Sequence, residues 1–172
     1  LRIMLTGAFN EERTTRVSGG LDSNFRIMDG TYALDGYLAG SQSTTALGEQ
    51  ISGGAGKFAI AKLEDKHWLA FSSYDFSTRN FSLDELGFFS EPHEHGGYVQ
   101  LTYKEDRASA PVLRYTLTAE TDYRWNLDGI KTVSRIEFQP IWEFRNFWTL
   151  DLDYIHDLPA HDDIERGILG LY

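Results

Sequence analysis

Apolar and polar side chains alternate one by one along most of this 172-residue chain, over runs longer than ordinary strands. From Leu113 onward, Leu113, Tyr115, Leu117, Ala119, Thr121, Tyr123 and Trp125 fall on one side of an extended backbone. Arg114, Thr116, Thr118, Glu120, Asp122 and Arg124 fall on the other. Successive side chains of a strand point to opposite faces, so this run has one apolar face and one strongly charged face. The next stretch repeats the division, with Ile136, Phe138, Trp142 and Phe144 against Lys131, Arg135, Glu137, Gln139, Glu143 and Arg145. Then Trp148, Leu150, Leu152 and Tyr154 oppose Thr149, Asp151, Asp153 and Asp157, and near the start Val17, Leu21, Phe25 and Ile27 oppose Arg16, Asp22, Asn24 and Arg26. Period-2 patterning of this extent excludes a helical architecture.

The same template predicts ten strands, near 2–9, 14–28, 31–42, 52–63, 67–79, 95–105, 110–126, 130–144, 147–157 and 164–172. Several reach the roughly 9–11 residues that a tilted membrane-spanning strand uses, against about 5–6 in soluble sheets. Tight connections are expected at Asp29-Gly30, Glu64–Lys66, Asp106–Ser109 and Arg145-Asn146. Several longer ones are expected at Asn10–Arg13, Ser43–Ile51, Asn80–Glu94 and Leu158–Asp163, with Leu127–Gly129 a short exception. Short turns at one rim and longer loops at the other, with Trp68, Tyr123, Trp125, Trp142, Phe144, Phe147 and Trp148 beside turns, fit an antiparallel up-and-down transmembrane β-barrel with aromatic girdles. The expected architecture is thus all-β, one domain over 1–172, either a whole barrel or a portion of a larger one. A soluble β-sandwich or lipocalin-like binding domain is the alternative, because it would alternate in the same way with its apolar face turned inward.

Composition narrows the partners. Aromatic residues make up 14% of the chain, too many for a disordered segment. No apolar run approaches the roughly 18 residues that a spanning helix needs. Cysteine is absent, which removes disulfides, thiolate metal sites and a cysteine nucleophile. A net charge of -10 argues against nucleic acid as a partner. The expected partners are outer-membrane lipid and further strands of the same protein. The chain opens at Leu1 with neither an initiator Met nor a basic-then-apolar leader, so a targeting peptide is expected to be missing or removed.

Two segments carry a family likeness: Trp68–Phe88, ending in Asp84, Glu85, Leu86, Gly87 and Phe88, and the strand Tyr32–Ser41. Here the chain resembles the C-terminal barrel region of large, uncharacterised bacterial outer-membrane proteins with an N-terminal domain like a carbohydrate-binding module. The resemblance implies an outer-membrane location and a chain that is part of something longer. It supplies no catalytic residues, and the glycan-binding domain has no counterpart here.

Few residues suggest chemistry. His93 and His95 with Glu91 gather two imidazoles and a carboxylate, donors suited to zinc, nickel or copper, but the bland reading is a solvated loop. Asp157, His161, Asp162 and Asp163 form an acidic cluster that could activate water in a barrel hydrolase, or simply be a charged loop tip. Gly53, Gly54 and Gly56 do not precede a helix and read as a strand entry rather than a phosphate loop. Ser, His and Asp occur in no nucleophile-elbow context. No catalytic residue and no cofactor is expected. The charged residues Arg114, Glu120, Asp122, Arg124, Arg135, Glu137, Glu143, Arg145, Asp151 and Asp153 are expected to face a lumen that either filters solutes by charge or is plugged by its own ion pairs. The functional expectation is a bacterial outer-membrane scaffold or passive conduit.

Overall fold

The computed structural model describes residues 2–9, 15–45, 47–81, 93–107 and 109–161. They form one antiparallel sheet of ten strands: β1 (Arg2–Phe9), β2 (Thr15–Ile27), β3 (Tyr32–Thr44), β4 (Gln50–Lys62), β5 (Trp68–Ser77), β6 (Glu94–Glu105), β7 (Val112–Asn126), β8 (Lys131–Phe144), β9 (Thr149–Asp151) and β10 (Tyr154–Asp157). Each strand pairs with its neighbour in sequence from β1 to β8, and β9 and β10 both lie on the far edge of β8. The expected strand at 164–172, the Asn10–Arg13 loop and the Asp84–Phe88 motif lie outside the described residues.

The expected strand over 147–157 divides into β9 and β10, and Pro140 gives the reason. Leu152 donates its N–H to the Pro140 carbonyl at 3.2 Å. Proline has no N–H to return the bond, so the ladder loses a rung opposite the break. Beyond β10 the chain continues along β8, Leu158 donating to Ser134 O at 2.7 Å and His161 to Lys131 O at 2.8 Å. This backbone therefore covers the β8 edge, and β1 and β10 do not pair. The sheet is open, so of the two expected arrangements, a whole barrel or a portion of one, these ten strands do not make a closed ring by themselves.

Turn chemistry is local and legible. At 28–31, Thr31 donates to Met28 O at 3.0 Å while Asp29 and Gly30 take φ of 54° and 91°. Two successive positive φ values make the type I′ turn whose twist matches a hairpin. At 127–130 the side-chain oxygen of the buried Asn126 accepts N–H bonds from Asp128 (3.0 Å) and Ile130 (2.9 Å). Along the chain the connections alternate between rims, placing 28–31, 63–67, 106–111 and 145–148 together. The rim asymmetry rests on the connection 78–93 alone among those bounded by described strands, because 45–49 and 127–130 on that same rim are also short.

Strands touch only their sheet neighbours, so among the described residues no second layer of strands covers either face. Apart from Phe81, the buried apolar residues among those described are alanines, with Ala33, Ala55, Ala59 and Ala61 together on the polar face of β3 and β4. Large apolar side chains stand exposed, Leu38 at 61% and Phe58 at 58%, and Leu21, Ile60, Val99, Leu101, Ile136 and Phe138 share their face.

In the turn at 63–67, the Asp65 carboxylate takes N–H bonds from His67 (2.9 Å) and Trp68 (3.1 Å) and an ion pair from Lys62. The Lys62 ammonium first, then the two N–H groups, hold its carboxyl well below the usual carboxylate range. A carboxyl depressed on folding contributes stability that is complete above its unfolded value, about 3.9, and is lost as pH falls through the lower folded value. Asp65→Asn is therefore expected to lower stability at neutral pH, with the gap to wild type narrowing below about pH 4. Urea unfolding across a pH series checks this, and a gap independent of pH would count against it.

Candidate functional site: the charged face

The register of seven strands aligns one row of side chains across the polar face: Arg2, Asp22, Tyr37, Lys57, Asp75, Gly96 and Arg124. The signs run plus, minus, neutral, plus, minus, gap, plus. Opposite charges on directly facing positions attract, and like charges there repel, so this order suits the pairing of every strand in the row. Arg2 Nε lies 3.0 Å from the Asp22 carboxylate. At the other end the row depends on an absent side chain. Arg124 on β7 reaches across β6 at Gly96 and grips Asp75 on β5 through two bonds of 2.9 and 3.2 Å. A Cβ on Gly96 would come within 2.5 Å of both Arg124 Cγ and the Tyr123 carbonyl. Only glycine leaves the guanidinium a path. Arg124 Nε also lies 3.4 Å from Asp122.

Neighbouring rows carry more charge. Arg135 pairs with Asp157 at 2.7 and 3.3 Å, Arg114 with Glu143 at 2.7 Å, and Gln139 donates to Asp151 at 3.2 Å. Asn24 donates to Asp35 across the β2–β3 hairpin. Glu94, buried at the end of β6, accepts from Thr132 at 2.9 Å. Glu120 and Glu137 face one another directly, with Asp153 beside Glu137, and the Tyr98 hydroxyl hydrogen-bonds Glu120. Arg2, Arg114, Arg124 and Arg135 are thus paired with carboxylates, and the face keeps an excess of carboxylate.

Of the charges expected to share a face, Arg114, Glu120, Asp122, Arg124, Arg135, Glu137, Glu143 and Asp151 do so by register, and Asp153 contacts Glu137. Arg145 lies in the 145–148 turn, its N–H donating to Pro111 O at 3.0 Å. Of the metal candidates, His93 and His95 lie among the described residues. His93 sits before β6 with φ of 62°. His95 belongs to the apolar face, where its ring nitrogen is 2.9 Å from the Tyr74 hydroxyl. Glu91 lies outside the described residues, among which no group of three or more His, Asp or Glu side chains converges as a metal site. Asp157 is committed to Arg135, and Asp162 and Asp163 are outside the described residues. Sequence reading missed the row from Arg2 to Asp75, and above all Gly96. The one available signal was the Asp29-Gly30 turn, whose centre places Asp22 opposite Tyr37.

The Arg124–Asp75 pair is three-quarters enclosed, with side-chain exposures of 26% and 24%. Removing either partner is expected to cost about 2–3 kcal/mol, at or just below the range for a fully buried pair. A double-mutant cycle of Arg124→Ala and Asp75→Ala should give a coupling of about 1–3 kcal/mol, which Gly96→Val should erase. Urea unfolding of the refolded protein measures each corner, and coupling that survives Gly96→Val would refute the path over Gly96.

The chain matches no family model, no curated protein sequence and no solved structure.

Proposed function

We propose that this chain forms the wall, or part of the wall, of a β-barrel in a bacterial outer membrane, with its apolar face in lipid and its charged face toward water, serving as a scaffold or passive conduit. The observation that carries the reading is the exposed apolar face, bordered at both strand ends by rings. Near the 63–67 rim, Tyr103 stacks on His67 with centroids 5.5 Å apart, meets Trp68 edge-on at 4.9 Å and lies 6.0 Å from Tyr115. Near the other rim, His95 lies 6.1 Å from Tyr74 and 6.0 Å from Trp125, which stacks with Tyr123 at 6.2 Å. Between these belts the same face carries Ala70, Ser72, Val99, Leu101, Ala119 and Thr121. Tyr103 and His95 stand about 26 Å apart along β6 at roughly 3.3 Å per residue, or about 20 Å in height at a tilt near 40°. Ring-bordered apolar bands about 25 Å tall are what outer-membrane barrels present to lipid.

A soluble sandwich would set a second layer against that face, since contiguous exposed apolar patches beyond a few hundred Å2 are rare on soluble monomers. On β2 to β4 the outward positions above Leu38 and Gly56 turn to Gly19, Gly40, Gly54, Gln42 and Ser52, so these strands run on past the apolar band. Closure of the ring falls to further strands of the same protein, because unpaired backbone groups in hydrocarbon cost several kcal/mol each. Kinship with the outer-membrane family that the Trp68–Phe88 and Tyr32–Ser41 segments resemble belongs to the same proposal.

The intact protein is expected to stay with membranes through an alkaline wash and to migrate faster unheated than boiled. Val99→Arg, on the apolar face midway between the belts, should impair assembly by about 2–4 kcal/mol, the cost of a cation near the bilayer midplane. Gln100→Arg should be tolerated, since it faces Glu120 on the other side. Lipid-vesicle folding assays measure both, and equal tolerance of the two would refute the assignment of faces.

A further inference from the structure

The chain leaving β5 does not continue outward from the rim but folds back over the charged face. Thr78 is fixed to β4 twice, its hydroxyl accepting from Gly54 N at 2.8 Å and its own N–H donating to Gly54 O at 2.9 Å. Phe81 then closes a turn by donating to Thr78 O at 3.0 Å. This turn lies directly on Gly53, where a Cβ would come within 2.1 Å of Phe81 N, 2.3 Å of the Asn80 carbonyl carbon and 2.4 Å of Phe81 Cα. Gly53 alternates with Ala55 and Lys57, so the segment rests on the charged face, two rows toward the rim from Lys57 and Asp75. Phe81 is only 5% exposed, the one large buried apolar residue among those described, and the Ala55 and Ser77 pair next to Gly53 is buried too. A second tie crosses the mouth, where Arg79 forms an ion pair with Asp128 of the 127–130 turn, two strands away.

We propose that Thr78–Phe81 is a fixed collar that narrows the water-filled side of this barrel wall and sets the size limit for the small hydrophilic solutes that pass. The inference rests on the conduit reading. Glycine at position 53 lets backbone lie on backbone, Thr78 anchors one end, and the Arg79–Asp128 pair holds the segment toward β7 and β8. The segment, with the buried Phe81 at its end, adds a layer to the charged face at this point, and its neighbour two rows below is the Asp75–Arg124 bridge. Size is set by the collar, while the excess carboxylate beneath it acts on charge.

Planar-bilayer conductance and vesicle swelling with sugars of graded size test this on the intact protein, its folded state checked by heat-modifiable migration. Phe81→Ala should raise conductance by about two- to five-fold and admit larger sugars, since the radius and lining of the narrowest point set what passes. Gly53→Val, which displaces the turn, should do the same. Arg79→Ala is the safeguard against misfolding, because this side chain is half exposed, and it should give a smaller rise. A silent wild type with conducting variants would also support the collar. Conduction by the wild type that none of the three variants changes would overturn the collar and leave the conduit standing. Absence of current from wild type and variants alike would overturn both.

Discussion

A one-layer sheet has no interior of its own. Its backbone is satisfied sideways, strand to strand, and its two faces must each find a solvent. Everything else here follows from that constraint. Side chains sort by parity, so the apolar set from Leu21 to Phe138 lies on one face and the charged set from Arg2 to Asp157 on the other. A one-residue slip of any strand would send its whole set to the wrong face, which makes parity the strongest determinant of register. Large apolar residues that would pack in a conventional core stand exposed, while among the described residues the buried positions go mostly to alanines and small polar residues, Phe81 excepted.

How much of this the sequence discloses depends on the distance over which each determinant acts. Parity is a nearest-neighbour property, so strand existence, the charged and apolar faces, and the turn at Asp29-Gly30 are readable from the residues. Strand ends are readable to within a few residues; β3 runs on to Thr44 because the polar residues Ser41 to Thr44 keep pairing with β4 after their apolar signal has stopped. The break between β9 and β10 was also written in the chain, as Pro140, but on the partner strand, where a pattern read along 147–157 cannot see it.

The charged face shows the same limit more sharply. That Arg124 and Asp122 share a side follows from their spacing. That Arg124 meets Asp75 requires the pairings of β5 with β6 and of β6 with β7, and then the absence of a side chain at Gly96 between them. Each pairing is fixed by a connection, and one of those connections is the long 78–93 segment, from whose sequence no register can be counted. Gly53 is hidden likewise: it reads as one more small residue in a glycine-rich strand until Phe81 is seen lying on it. In both cases an interaction between distant residues is permitted by a side chain that is not there.

The up-and-down order has a kinetic side. Every strand from β2 to β8 pairs with the strands immediately before and after it, so the sheet has low contact order and can grow one hairpin at a time. The entropy of closing a loop rises slowly, by about 0.6 kcal/mol per doubling, so the long connection at 78–93 costs only about 1.2 kcal/mol more than a four-residue turn. The ties of Thr78 to Gly54 and of Arg79 to Asp128 act in the opposite direction, joining the middle of the meander to both of its halves. In the proposed barrel, assembly leaves one step that is non-local, the seam at the free edge of β1, which pairs only with β2 among the described strands.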